Sequence, residues 1–469
     1  WGISYGSHLG QMLALQDPDG IRALVLDAIV PNDLTDLMRI GRWANRMLEN
    51  IEETCDAPQC DGLLARLDAA LEALRSDPVT VSLGDTERFP DGVQRVDGVV
   101  LLFAPFSMAY EQDEHPAIPS VINALSGYTE ARDDAFFRLV AGGMEAVGGA
   151  SMSPGMGDAI RCNDGYVHKA AEVVPSDLAE NPRFAGLYTT PEGAAYTARM
   201  CEEAGLSPRD RSDYRFVETA IPTLIINGGW DPITPPPLAE YIAPGFENGR
   251  YIEVPFAGHG PTRSMADCAG PVLNAFFDDP DPAALDASCL EAGVGEPEYL
   301  AFTPTRAPVI LGAMAEEDPK SLIAPGVWAG APLVILLLSL LLIPLGFLAR
   351  LIDRQPATDL KADLALPRLL AFLTAGAGIG FAALTGYGFY VASEVSMLAV
   401  LAGLHPVAGA APWLALAAGL LGVVTLVALI ARRMADGPVR FGSLAGLFLT
   451  GASGLALLAF ALAFDLGPL

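Results

Sequence analysis

Four long apolar stretches in the last third of the chain leave little choice about how that part folds. Gly326 to Leu348, Leu369 to Ala392, Ala410 to Ala431 and Phe441 to Phe464 contain no Asp, Glu, Lys, Arg or His. About twenty apolar residues cross a hydrocarbon core as a helix, and a segment in lipid must satisfy its backbone hydrogen bonds internally. The sequence therefore predicts an all-α membrane region of four transmembrane helices over 326–469. The connector between the first two carries Arg350, Arg354, Lys361 and Arg368, that between the last two Arg432, Arg433 and Arg440, and Ser393 to Gly409 has neither Lys nor Arg. By the positive-inside rule both basic connectors face the cytoplasm. The preceding residues are then expected outside a cytoplasmic membrane, extracytoplasmic or periplasmic. Spans without ionisable groups argue against an ion or proton pathway. Gly376 with Gly380, and Gly442 with Gly446, have the spacing that lets helices approach closely, and are expected to pack within the bundle. The short apolar run Val395 to Leu404 is expected at the outer interface or as an extension of the second helix.

The first 325 residues are a different material, with a net charge of −29, which makes nucleic acid an unexpected partner. They open with Gly2-Ile3-Ser4-Tyr5-Gly6, the G-x-S-x-G pattern of a nucleophile elbow, in which a serine stands on a sharp strand-to-helix turn. Ile221 to Asp231 (IPTLIINGGWD) reads as a buried parallel strand with an acid past its carboxyl end. Arg250 to Pro255 alternates like a strand and leads into Phe256-Ala257-Gly258-His259-Gly260, which holds one of the five histidines. The order Ser, Asp, His is that of α/β-hydrolases. The chemistry needs these types: an imidazole must take the proton of a weakly nucleophilic hydroxyl, and a carboxylate must fix its tautomer and stabilise the imidazolium. Ser4 is thus the expected nucleophile, His259 the base, Asp231 the acid, and the Tyr5 backbone N–H one oxyanion donor. A second donor is expected on a segment preceding Trp1, and the lack of an initiator methionine or leader is expected to reflect a chain that starts part-way through the protein. His8 is read as structural, and His115 and His168 as surface or lid residues. No grouping has metal-ligand spacing, so neither metal nor cofactor is expected.

The stretch GISYGSHLGQMLALQDPDGIRALVLDAIVP resembles the elbow, following helix and next strand of the tripeptidyl and prolyl aminopeptidase branch of the α/β-hydrolases. PTLIINGGWDPITP, GHG, and Cys268 and Cys289 bracketing a short helix resemble its carboxyl-terminal region. The resemblance spans about the first 290 residues, loosely in the middle. It implies the same roles for Ser4, Asp231 and His259, and release of residues or short peptides from free amino termini. Related esterases share these motifs, so a carboxylester hydrolase stays open, as does a sensor or scaffold that binds a peptide or small ester without turnover.

The expected fold class is α/β: an α/β-hydrolase core entered at the elbow (1–31), a mainly helical lid (32–215), the rest of the core (216–290), a connector without clear periodicity (291–325) and the membrane region. Leu34 to Glu53 and Gly62 to Arg75 have apolar residues at helical spacing, the mark of amphipathic lid helices. An aminopeptidase also needs lid carboxylates for the substrate ammonium; Asp164 is the first choice and Glu111 the second. All six cysteines lie between 55 and 289. Cys55 and Cys60 are close, Cys268 and Cys289 bracket a short segment, and Cys162 and Cys201 remain, which suggests three local disulfides and an oxidising compartment.

Overall fold

A computed structural model describes residues 1–82, 90–143, 153–184, 191–208, 214–352, 364–436 and 441–468. Arg354, Lys361 and Arg440, used above for topology, lie outside the described residues. The chain divides into two compact units. One comprises 1–81, 95–132 and 143–299; the other comprises 82–94, 133–142 and 300–469.

The first unit is built on a parallel sheet of β1 (Gly2–Ile3), β2 (Leu24–Asp27), β5 (Thr223–Gly228) and β6 (Gly249–Val254), in the order β1-β2-β5-β6. The register pairs Ile3 with Asp27, Asp27 with Ile226, and Gly228 with Val254. Every residue of β2 and β5 is buried, as central strands covered on both faces must be. Alternation sends side chains to opposite faces. Val25, Leu224, Ile226 and Ile252 pack on Val272, Leu273 and Phe276 of the helix Ala266–Asp278. Leu24, Leu26 and Ile225 pack on Ala14 of the helix Tyr5–Gln16 and on Ala239 and Ile242 of the helix Pro236–Ile242. The sheet is therefore the middle of three layers.

Between β2 and β5 runs the lid, mostly helical, with one addition: β3 (Val79–Ser82) and β4 (Val93–Val96) form a two-stranded sheet that helical periodicity does not reveal. The helix expected from Leu34 starts at Ile40 instead. Leu34 has a φ of 63°, with its N–H on Pro31 O, which stops a helix from passing through it. The start is set from a distance: the Asp177 carboxylate accepts the N–H groups of Gly41 (2.6 Å) and Arg42 (3.1 Å), which satisfies two first-turn donors and places an anion at the positive end of the helix. The three cysteine pairs are Cys55–Cys60, Cys162–Cys201 and Cys268–Cys289, with Cα separations of 5.9, 5.6 and 6.0 Å.

Among the described residues of the second unit, four helices are long and apolar enough to cross a membrane: Ile323–Ile352, Ala365–Val395, Ala411–Asp436 and Phe441–Ala463. The glycine expectation holds in part. An added Cβ on Gly380 would lie 3.2 Å from Leu414 Cδ1 of the third helix, but those on Gly376, Gly442 and Gly446 would meet nothing within 4 Å among the described residues, whereas one on Gly422 would lie 2.5 Å from Gly451 O and one on Gly454 2.4 Å from Ala418 O. The close contact between the last two helices therefore uses other small residues, on the faces that helix rotation turns inward. Val395 to Leu404 does not prolong the second helix past Val395: Leu404 is buried and exchanges backbone hydrogen bonds of 2.9 Å with Thr303. Gly403 permits this, with a φ of 121° and Thr303 O where a Cβ would stand. The stretch read as an aperiodic connector contains the helix Ala307–Glu317, whose preceding Arg306 donates to Asp133 through Nε at 2.6 Å and to the Asp465 carboxylate through its backbone N–H at 2.7 Å. Two hydroxyl pairs link the long apolar helices: Ser339 Oγ meets Thr450 Oγ1 at 2.6 Å and Thr374 Oγ1 meets Thr425 Oγ1 at 3.2 Å.

Candidate active site

Ser4 links β1 to the helix Tyr5–Gln16 with φ 56° and ψ −121°, a backbone conformation that costs a non-glycine residue free energy. Its N–H continues the β1–β2 ladder onto Asp27 O at 2.8 Å. The turn is tight enough that a Cβ on Gly2 would lie 2.1 Å from Gly6 O, so Gly2 is obligatory. A Cβ on Gly6 would meet nothing within 4 Å among the described residues. Tyr5 opens the helix, where backbone N–H groups and the positive end of the macrodipole favour an anion.

Asp231 follows β5 after the turn Gly228-Gly229-Trp230. Gly228 admits no side chain, since a Cβ there would lie 1.9 Å from Gly258 O in the histidine loop. The Asp231 carboxylate is 1% exposed and fully engaged. Oδ1 accepts the N–H groups of Ile233 (3.0 Å) and Thr234 (2.8 Å), and Oδ2 accepts Thr234 Oγ1 (2.7 Å) and His259 Nδ1 (2.8 Å). His259, 8% exposed, donates its backbone N–H to Tyr110 O at 2.9 Å, and the Tyr110 ring lies 5.0 Å from the imidazole. Burial alone would lower the histidine pKa. The Asp231 charge and hydrogen bond, joined by the Asp27 charge, outweigh it and leave the pKa above its ordinary value. Gly260, next in the loop, has a φ of 73°, and its inner side faces Ile3, the residue before the serine. The structure thus bonds the acid to the histidine and brings the histidine loop against β1; no hydrogen bond joins Ser4 Oγ to His259 among the described residues.

Asp164, 4% exposed at the end of the helix Pro154–Asn163, accepts a 2.6 Å hydrogen bond from the hydroxyl of Tyr5, the residue after Ser4. Glu111 is partly exposed and paired at 2.6 Å with Arg263, on the short helix Pro261–Ser264 past His259. His8 is buried and stacks on Tyr5 and Tyr214. His115 lies in the lid but not at its surface: it is 1% exposed, bonded through Nε2 to Ala109 O at 3.0 Å and set against Trp230. A surface position follows from its polar type alone, and the carbonyl and indole partners remove the need for water. His168, on the helix Tyr166–Glu180, is half-buried. No group of three or more His, Cys, Asp or Glu able to hold a metal occurs among the described residues.

Residues 191–289 match the family model of the TAP-like proteins, an α/β-hydrolase group. The match supports an α/β-hydrolase family. It spans about a fifth of the chain, including Asp231 and His259 but not Ser4. No curated protein matches the chain. One site residue escapes the sequence reading. Asp27 closes the otherwise apolar β2, is completely buried, and accepts the backbone N–H of Thr262 at 3.0 Å and the Thr262 hydroxyl on the same oxygen, Oδ2. Burial pushes its pKa up to about 6, against the opposing pull of the Thr262 hydrogen bonds and of His259, while Asp231 adds to the rise. The only sequence signal is an acid ending a strand that lies between those carrying Ser4 and Asp231.

Proposed function

We propose that this chain is a membrane-anchored serine hydrolase acting on peptides with free amino termini. The observation that carries the reading is the 2.8 Å bond from His259 Nδ1 to Asp231 Oδ2, formed at the carboxyl edge of the parallel sheet whose first strand ends in the strained Ser4. In this reading Ser4 Oγ attacks the scissile carbonyl as its proton passes to His259 Nε2. Asp231 stabilises the imidazolium, and the Tyr5 N–H stabilises the oxyanion, a type of contact worth about 3 kcal/mol of barrier. His259 then protonates the leaving amine, and a water deprotonated by His259 releases the acyl group and restores the serine.

The preference for amino termini is supported by Asp164, a buried lid carboxylate joined to the residue after the nucleophile. There it would take the substrate ammonium, with Glu111 a second candidate that Arg263 already partly neutralises. An extracytoplasmic position is supported by the three cysteine pairs and by the basic connectors of the membrane region. The test is hydrolysis of matched fluorogenic peptides with free or acetylated amino termini by the full-length protein and by Ser4→Ala. Turnover confined to free termini and lost in the variant is expected. Cleavage of simple esters with intact peptides would replace the peptidase by an esterase, and no cleavage of either would leave a binding protein.

A further inference from the structure

Asp27 is a second buried carboxyl beside the histidine, and the triad chemistry leaves it unused. It stands on β2, between the strand that delivers Ser4 and the strand that precedes Asp231. Its main-chain oxygen takes the Ser4 N–H, and its Oδ2 takes both donors of Thr262, three residues past His259. Its Oδ1 is buried without a hydrogen-bond partner among the described residues. Folding gains nothing from that oxygen, because a buried acceptor without a donor carries its full desolvation cost. An asparagine would satisfy Thr262 without a charge.

We propose that Asp27 is a positioning residue for His259: its carboxylate ties the histidine loop through Thr262 to β2, the strand paired with the one that delivers Ser4, and supplies a second negative charge that favours the imidazolium. The proposal rests on the reading of His259 as the base. One residue then serves both halves of the site, the serine through its backbone and the histidine through its side chain. Asp231 fixes the imidazole at Nδ1, whereas Asp27 acts without touching the ring. The charged groups acting on His259 are Asp231, Asp27 and Arg263, the last in opposition. Those acting on Asp27 are His259 and Asp231.

The test is the titration of the His259 imidazole by NMR in histidine-labelled, detergent-solubilised protein, assigned with His259→Gln, in wild type, Asp27→Asn and Thr262→Val. In parallel, the rate of Ser4 phosphonylation by a fluorophosphonate is followed from pH 5 to 9. Asp27→Asn is expected to lower the His259 midpoint by about half a unit to one unit and to slow phosphonylation at the plateau about three- to tenfold, since one unit corresponds to a factor of ten. Thr262→Val keeps the backbone donor and loses the hydroxyl, so it is expected to lower the midpoint in the same direction by less, and it replaces Asp27→Asn as the deciding variant if the latter fails to fold. An unmoved midpoint overturns the proposal, even with slower phosphonylation, because a purely structural role would lower the rate at every pH without shifting the titration. If the wild-type serine is not phosphonylated at all, the hydrolase reading fails, while the NMR midpoint still decides whether Asp27 acts on His259.

Discussion

Replacing Asp27 by asparagine should make the hydrolase unit more stable at neutral pH. The carboxyl is completely buried and its pKa is pushed from the ordinary 3.8 to about 6, chiefly by loss of solvation. A shift of about two units corresponds to about 3 kcal/mol between the protonated and ionised forms. The sign follows from linkage: a raised folded-state pKa means that the native state binds the proton more tightly. The wild type is therefore most favoured below the unfolded value and loses that advantage as pH rises through about 6. Asparagine stays neutral throughout. Its oxygen can still accept from Thr262 N and Oγ1, and its amide replaces an oxygen that already lacks a partner, so the unpaired-group costs largely cancel. Asp27→Asn should match the wild type near pH 4 and exceed it by about 2 to 3 kcal/mol at pH 8, a rise in melting temperature of about 5 °C for a unit of this size. Thermal unfolding followed by tryptophan fluorescence at the two pH values measures it. A variant less stable than wild type by the same margin at both would refute the reasoning, because the hydrogen bonds would then outweigh the buried charge.

Asp231→Asn tests linkage of the same sign at the histidine: because the His259 pKa is raised, the stability it contributes is present below the unfolded histidine value and lost as pH rises through the folded one, so the variant should be penalised more at pH 5 than at pH 9 in paired melting curves. Gly2→Ala should abolish fluorophosphonate labelling of Ser4, since the new Cβ would meet Gly6 O at 2.1 Å and the turn would have to open; labelling at the wild-type rate would show that the elbow is not held that tightly. Serine at both Cys162 and Cys201 removes a link between residues 39 apart, for which chain entropy gives about 4 kcal/mol, and limited proteolysis should cut the lid helices Pro154–Asn163 and Pro191–Glu203 earlier than in the wild type.

The candidates Ser4, Asp231 and His259 are picked out in the sequence because each follows a predicted strand and has glycines nearby, and such local patterns survive without knowledge of the fold. Asp27 is not, because LVLD reads as an ordinary strand until the register sets Ile3 beside Asp27 and the histidine loop above it. The start of the helix at Ile40 is equally hidden: apolar periodicity continues back to Leu34, and the carboxylate that fixes the boundary comes from Asp177, far along the chain. In the membrane region the spans follow from composition, but spacing alone does not identify the glycines that make close contacts, since Gly442 and Gly446 have the favoured spacing and meet no neighbour among the described residues, while Gly380, Gly451 and Gly454 do. Rotation about a helix axis is decided by the partner helix, which sequence spacing does not encode.

Two costs in the hydrolase unit stand at neighbouring strand ends, apart from others such as the positive φ of Leu34 and Arg132 between β2 and β5. Ser4 is held at a positive φ, which costs on the order of 1–3 kcal/mol, and Asp27 is ionised at neutral pH in full burial with one oxygen unpaired. Both sit at the carboxyl edge of the sheet, within strands β1 and β2 or directly after them, while the apolar faces of β2 and β5 carry no comparable defect. A sheet that needed only to fold could take glycine at position 4 and asparagine at position 27 and be more stable at neutral pH. Departures from that better-folding sequence at two adjacent strand ends, bonded to each other through Ser4 N and Asp27 O and tied to the histidine loop through the Asp27 carboxylate, are the pattern expected where stability has been exchanged for chemistry. The same comparison separates a hydrolase from a binding scaffold: a scaffold would lose nothing by both substitutions, whereas a hydrolase would gain stability and lose its reaction.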